Sequence, residues 1–182
     1  MVLVPVRQVA IALSDILQFP AHLCRELENE LFGVGVDRLL EVRHGGVVID
    51  MTFAPLPEIA VAGYEPERGR VSIWPGGDIY AFPLGPERSW KHRYTSPLGG
   101  SFGHLAAELC LFYVGDPRGL RWEWDDGLDQ YVTRVHRHLF YEEYNRREGH
   151  WPVEDAPHGG AQVGAHPIRS AFMRNEVHRW AS

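Results

Sequence analysis

Apolar side chains first recur along this chain with helical spacing. Val9, Ala12, Leu13, Ile16 and Leu17 share one face, and Leu23, Cys24, Leu27 and Leu31 share another beyond Pro20. An interior proline removes a backbone hydrogen bond and clashes with the preceding turn. The pattern therefore predicts two short helices, or one kinked at Gln18-Phe19-Pro20, stopped by Gly33. From Leu39 the period changes to two: Leu40, Val42, Val47, Ile49, Met51 and Phe53 alternate across His44-Gly45-Gly46, a glycine loop able to close a hairpin. Further strands are expected at 59–63 and 70–74, separated by the charged turn Glu65-Pro66-Glu67-Arg68-Gly69. Pro75-Gly76-Gly77-Asp78 then turns the chain into 79–83. Short consecutive strands joined by tight turns predict an antiparallel meander and hence an α+β fold.

A proline- and glycine-bearing passage over 83–104 interrupts the periodicity, and loops that long inside a compact domain usually carry function. It leads to Glu108-Leu109-Cys110-Leu111-Phe112-Tyr113, expected as an extended run in which alternation sets Cys110 and Phe112 on one side. Trp122-Glu123-Trp124-Asp125-Asp126 opens the next element. Leu128, Val132, Val135 and Leu139 then recur at helical spacing to about residue 148, with Asp125 and Asp126 expected to cap the start and Gly149 the end. Beyond Trp151-Pro152 the chain is small and polar, with one further helix expected over 168–180. This organisation predicts a single domain over 1–160 followed by a C-terminal tail over 161–182.

Composition narrows the chemistry. A chain of 182 residues with net charge −6 and a single lysine, Lys91, lacks the clustered bases that nucleic-acid binding needs. Two cysteines are too few for a disulfide scaffold or a zinc cluster, and no apolar run approaches membrane-spanning length, so a cytoplasmic protein is expected. Glycine pairs occur without the spacing that cradles phosphate, so no nucleotide-dependent activation by this chain itself is expected. Among ten histidines, His136 and His138 fall on different sides of their helix, which is not a metal spacing. No cofactor and no metal are expected. Cys24 lies on a helical apolar stripe and reads as a packing residue. Cys110 reads as the nucleophile, because a thiolate can carry an acyl group as a thioester. His92, His104 and His158 are its candidate polar neighbours.

These residues carry a resemblance. Leu109-Cys110-Leu111-Phe112-Tyr113, Trp122 and Trp124, the helical Leu139-Phe140-Tyr141-Glu142-Glu143, Gly149-His150-Trp151-Pro152 and Ala156-Pro157-His158-Gly159 resemble the prokaryotic ubiquitin-conjugating-enzyme-like proteins of CBASS antiphage operons. The likeness spans residues 36–160. It implies the UBC fold: an N-terminal helical segment, an antiparallel meander, the active-site cysteine segment and C-terminal helices. It also implies that Cys110 forms a thioester with the C-terminus of a cGAS-like nucleotidyltransferase or a ubiquitin-like protein, in concert with an activating enzyme, and passes it to an amine. Eukaryotic relatives carry His-Pro-Asn ahead of the cysteine; here His92-Arg93-Tyr94 stands farther upstream and His104 closer. His104 and His158 are the accessory catalytic candidates. The alternatives are an inert scaffold of the same fold, in which Cys110 merely packs, and an unrelated cysteine hydrolase using His104 or His158 as base.

Overall fold

The computed structural model describes residues 13–42, 45–86, 88–93, 108–112 and 117–153. The expected break in the first helical region falls at Phe19. Helix α1 spans Leu13–Gln18 and α2 spans Pro20–Glu30 with its proline in the first turn, where the missing N–H is no loss. Gly33 then takes φ +74°, and a Cβ there would meet the Ala54 carbonyl oxygen at 2.9 Å, so only glycine fits this turn.

Strands β1 (Val34–Val42), β2 (Gly46–Phe53), β3 (Glu67–Ile73) and β4 (Ile79–Leu84) form one antiparallel sheet in the order of the sequence. An irregularity between Val36 and Arg38 shifts the β1–β2 register. The Val36 amide donates across it to the Glu28 carboxylate of α2 at 2.8 Å. In the middle of the sheet Asp50 and Arg70 stand directly opposite each other, and two hydrogen bonds of 2.6 and 3.1 Å join them in a fork.

Three expectations need correction. The segment expected as a strand at 59–63 is instead a short helix, α3 (Pro57–Ala60), and a turn ending at Gly63. Pro57 favours a helix start, and Val61 is 90% exposed, so no sheet neighbour rewards extension there. The charged turn at 65–69 gives way to the start of β3, because Glu67 pairs with Phe53 and its carboxylate is met by Arg88 and Arg146. Asp125 and Asp126 do not cap the long helix. They belong to a separate 3-10 turn, Trp124–Asp126, closed by reciprocal Glu123 and Asp126 hydrogen bonds.

Helix α4 (Leu128–Glu148) follows Gly127 and ends at Gly149 in the left-handed conformation, as expected. Leu128, Tyr131, Val132, Val135 and Leu139 of α4 join Ile16, Leu23 and Leu27 of the first helices, and Val47, Ile49, Met51, Val71 and Ile73 of the sheet, in one continuous core. Trp122 and Trp124 stack edge to face, 4.9 Å apart. Their indole N–H groups donate to Gly127 and Gly77 carbonyls, both at 2.8 Å, which pins the 3-10 turn to the β3–β4 hairpin. No helix among the described residues is long and apolar enough to cross a membrane. The helix expected at 168–180 lies outside the described residues.

Candidate active site

The two cysteines divide as their spacing implies. Cys24 is buried on α2, whereas Cys110 is only half-buried. Cys110 does not, however, sit within a full strand. Leu109 makes one isolated antiparallel bridge with Arg93 and donates its amide to Ala81 of β4 at 2.8 Å, so residues 108–110 lie along the outer edge of the sheet. The chain then tightens, with the Leu111 amide reaching the Leu109 carbonyl at 3.0 Å. Simple alternation fails for that reason. Leu109 is sealed in the core, while Cys110, Leu111 and Phe112 all keep some exposure.

What fixes the Cys110 backbone lies outside its own stretch of chain, in His92 and, through it, in α4. The Cys110 amide donates to the His92 carbonyl at 3.1 Å. That carbonyl also accepts from His138 Nε2 at 3.0 Å, which places the His138 proton on Nε2, since a carbonyl oxygen only accepts. The Lys91 and His92 amides in turn donate to the two carboxylate oxygens of Glu142, at 2.8 and 2.6 Å. Glu142 is wholly buried, with His138 Nε2 3.6 Å from its Oε1. Burial alone would raise the Glu142 pKa, but the nearby His138 ring and the hydrogen bonds from the two amides outweigh it and hold the carboxyl below its ordinary range. A charged carboxylate thus clamps residues 91 and 92 on α4, and residue 92 holds Cys110.

Trp151 covers this clamp. Its ring lies 4.5 Å from His92, 5.7 Å from His138 and 5.6 Å from Tyr141, and the Lys91 ammonium stands 5.5 Å from its centre. Nearby, Arg146 and Arg88 sit over Trp90 at 5.0 and 5.9 Å while both reach Glu67, which anchors the chain leading into the clamp.

The sequence crowds acids around Cys110, an arrangement hostile to a thiolate. The structure removes much of that charge. Asp126 is gripped by Arg118 through two bonds of 2.9 Å, and Glu123 is paired with Arg121 and Arg118. Glu108, two residues from the cysteine, is half-buried, and its partial desolvation pushes the carboxyl above the ordinary range and favours the neutral form. The unfolded chain releases that proton near pH 4.3, so folding is progressively penalised as pH rises above this value. Glu108→Gln is therefore expected to raise stability at neutral pH and to lose its advantage as pH falls toward 4. Urea unfolding of both proteins across that range checks it, and an unchanged or reduced stability at neutral pH would count against the burial of the charge.

Of the three residues expected to act, only Cys110 lies among the described residues; His104 and His158 fall outside them. The structure adds His138, weighed in the sequence only as a metal ligand, and Glu142, which stood there only as part of a helical motif. A signal existed: Glu142 lies three and seven residues beyond Leu139 and Val135, on the stripe α4 buries, and a carboxylate there must find donors. Among the described residues no cluster of three or more His, Cys, Asp or Glu is placed to hold a metal ion. No protein-family model and no curated protein matches the chain.

Proposed function

We propose that this chain is a ubiquitin-conjugating-enzyme-like acyl carrier. The carrying observation is the contrast between its two thiols. Cys24 is sealed in the core, whereas Cys110 keeps exposure on the outer edge of β4 with its backbone held from both the sheet and α4. A macromolecular acyl donor needs that combination of access and rigidity. The order of N-terminal helices, four-stranded meander, cysteine segment and long helix supports the finer UBC assignment, and the motifs from Leu109 to Gly159 support the likeness to CBASS conjugating proteins.

In the proposed reaction the Cys110 thiolate attacks the thioester carbonyl that an activating enzyme presents on the C-terminus of a cGAS-like nucleotidyltransferase or ubiquitin-like protein. The activating enzyme's thiolate leaves and takes up a proton. An amine then attacks the Cys110 thioester, forms an amide, loses a proton to solvent or a base, and returns the thiolate. The few acyl-accepting amines on this chain, with Lys91 its only lysine, suit a protein that must not consume its own cargo.

Two measurements on the native protein test the proposal. Iodoacetamide should alkylate Cys110 at least about tenfold faster than Cys24, the ratio expected if burial adds 1.4 kcal/mol or more to the barrier for Cys24. Incubation with the partner and an activating enzyme should give a covalent adduct that a reducing thiol cleaves. Equal labelling of the two thiols, or an adduct that survives thiol treatment, would defeat the reading. Turnover of small thioesters or amides without any protein partner would point to the hydrolase alternative instead.

A further inference from the structure

Helix α4 presents two opposite sides to two different places. At about 100° per residue, His138 and Glu142 face the Cys110 clamp, whereas Thr133, His136, Arg137 and Phe140 fall on the far side. That far side forms one wall of a cavity of about 300 Å³, whose other walls come from the Phe32 turn, the β2 end, α3 and Tyr64. Two of the large apolar side chains most exposed on the described surface, Phe32 at 67% and Leu56 at 48%, stand at this one opening. The volume is at the lower bound of small-molecule sites, which are apolar hollows with a few placed polar groups.

The charges around it are uneven. Glu67 and Glu143 line the cavity but are held by Arg88, Arg146 and Arg147, whereas Glu65 lines it without an ion pair among the described residues. His136 cannot supply a cation. Its Nε2 lies 3.0 Å from the Ala54 carbonyl, so the proton sits there, and burial lowers its pKa and keeps the ring neutral. Arg137 is exposed at the rim, and among the described residues no carboxylate pairs with it. Arg134, one turn earlier on α4, adds a second positive charge close to it.

From the apolar lining and this one unmatched guanidinium, we propose that the cavity binds a small apolar carboxylate, its hydrocarbon or aryl body between Phe32, Leu56, Ile59 and Phe140 and its anionic head on Arg137. Burial of the body supplies the affinity, and the charge-assisted hydrogen bonds at the rim select acids over alcohols of the same size. This site is independent of the proposed chemistry at Cys110, because it uses the other side of α4.

The test uses the full-length folded protein titrated with 1-anilinonaphthalene-8-sulfonate, then displaced with decanoate or with 1-decanol. One saturable site is expected, with decanoate displacing the probe about tenfold better than decanol. Arg137→Gln should erase that preference while leaving decanol binding unchanged, and Ile59→Trp should abolish the site by filling it. Should Ile59→Trp fail to fold, Leu56→Trp at the exposed rim blocks the same opening. Absence of a saturable site, equal displacement by acid and alcohol in the wild type, or binding indifferent to the filling substitution would each overturn the proposal.

Discussion

Glu142→Leu is expected to lower the unfolding free energy by about 3 to 5 kcal/mol, the usual consequence of deleting one side of a buried charged hydrogen-bond network. The lost groups are specific. The Lys91 and His92 amides each lose an acceptor, and His138 loses the carboxylate beside its Nε2. Glu142→Gln should also be damaging, because one of its two amide positions presents N–H where a backbone N–H already points. The defect has a pH signature. A carboxyl held below its ordinary range contributes its stability fully above the unfolded value of about 4.3 and loses it as pH falls through the lower folded value. The gap between wild type and Glu142→Gln should thus be wide at pH 7 and narrow in acid. Urea unfolding at several pH values measures this, and a gap under about 1 kcal/mol at pH 7 would mean that the clamp does not hold the fold. If the carrier function is right, the same substitution should slow thioester formation in the surviving folded fraction, since His92 would no longer fix the Cys110 amide.

Cys110→Ser should have the opposite profile. The side chain is half-buried and its amide, which makes the contact with His92, is retained, so stability should change by less than about 1 kcal/mol. Formation of the thiol-cleavable adduct should be lost altogether, leaving at most a thiol-resistant oxyester. Cys24→Ser supplies the comparison. It sets a hydroxyl in an apolar core site and should cost about 1 to 3 kcal/mol, with the Cys110 adduct unaffected. If Cys110→Ser still forms the thiol-cleavable adduct, Cys110 is not the carrier. If wild type and variant both bind the partner without any adduct, the protein is an inert scaffold. Intact-mass analysis before and after thiol treatment separates the three.

Much of this architecture can be read from local pattern. The break before Pro20, the hairpin at Gly45-Gly46, the turn at Gly76-Gly77 and the full extent of α4 follow from proline, glycine and apolar period, because those preferences act over a few neighbouring residues. The same reasoning misplaced residues 59–63, where an apolar run without a sheet neighbour coils instead of extending, and 65–69, where pairing with β2 draws a charged stretch into β3. It also gave the long helix two aspartate caps that serve the preceding turn.

At the candidate site the sequence by itself determined which thiol the core would enclose, since Cys24 lies on a helical apolar stripe and Cys110 does not. Only the tertiary structure decided how that thiol is held. The Cys110 amide, the His92 carbonyl, His138 and Glu142 meet across about 50 residues of chain, and no local spacing encodes a partner that distant. The same holds for Arg137 and Phe32, brought to one opening by the packing of α4 against the β2 end. Residue types and their periods set the elements, because each element forms from neighbours in sequence. Which polar group satisfies which buried donor was settled only when the core closed and water was excluded.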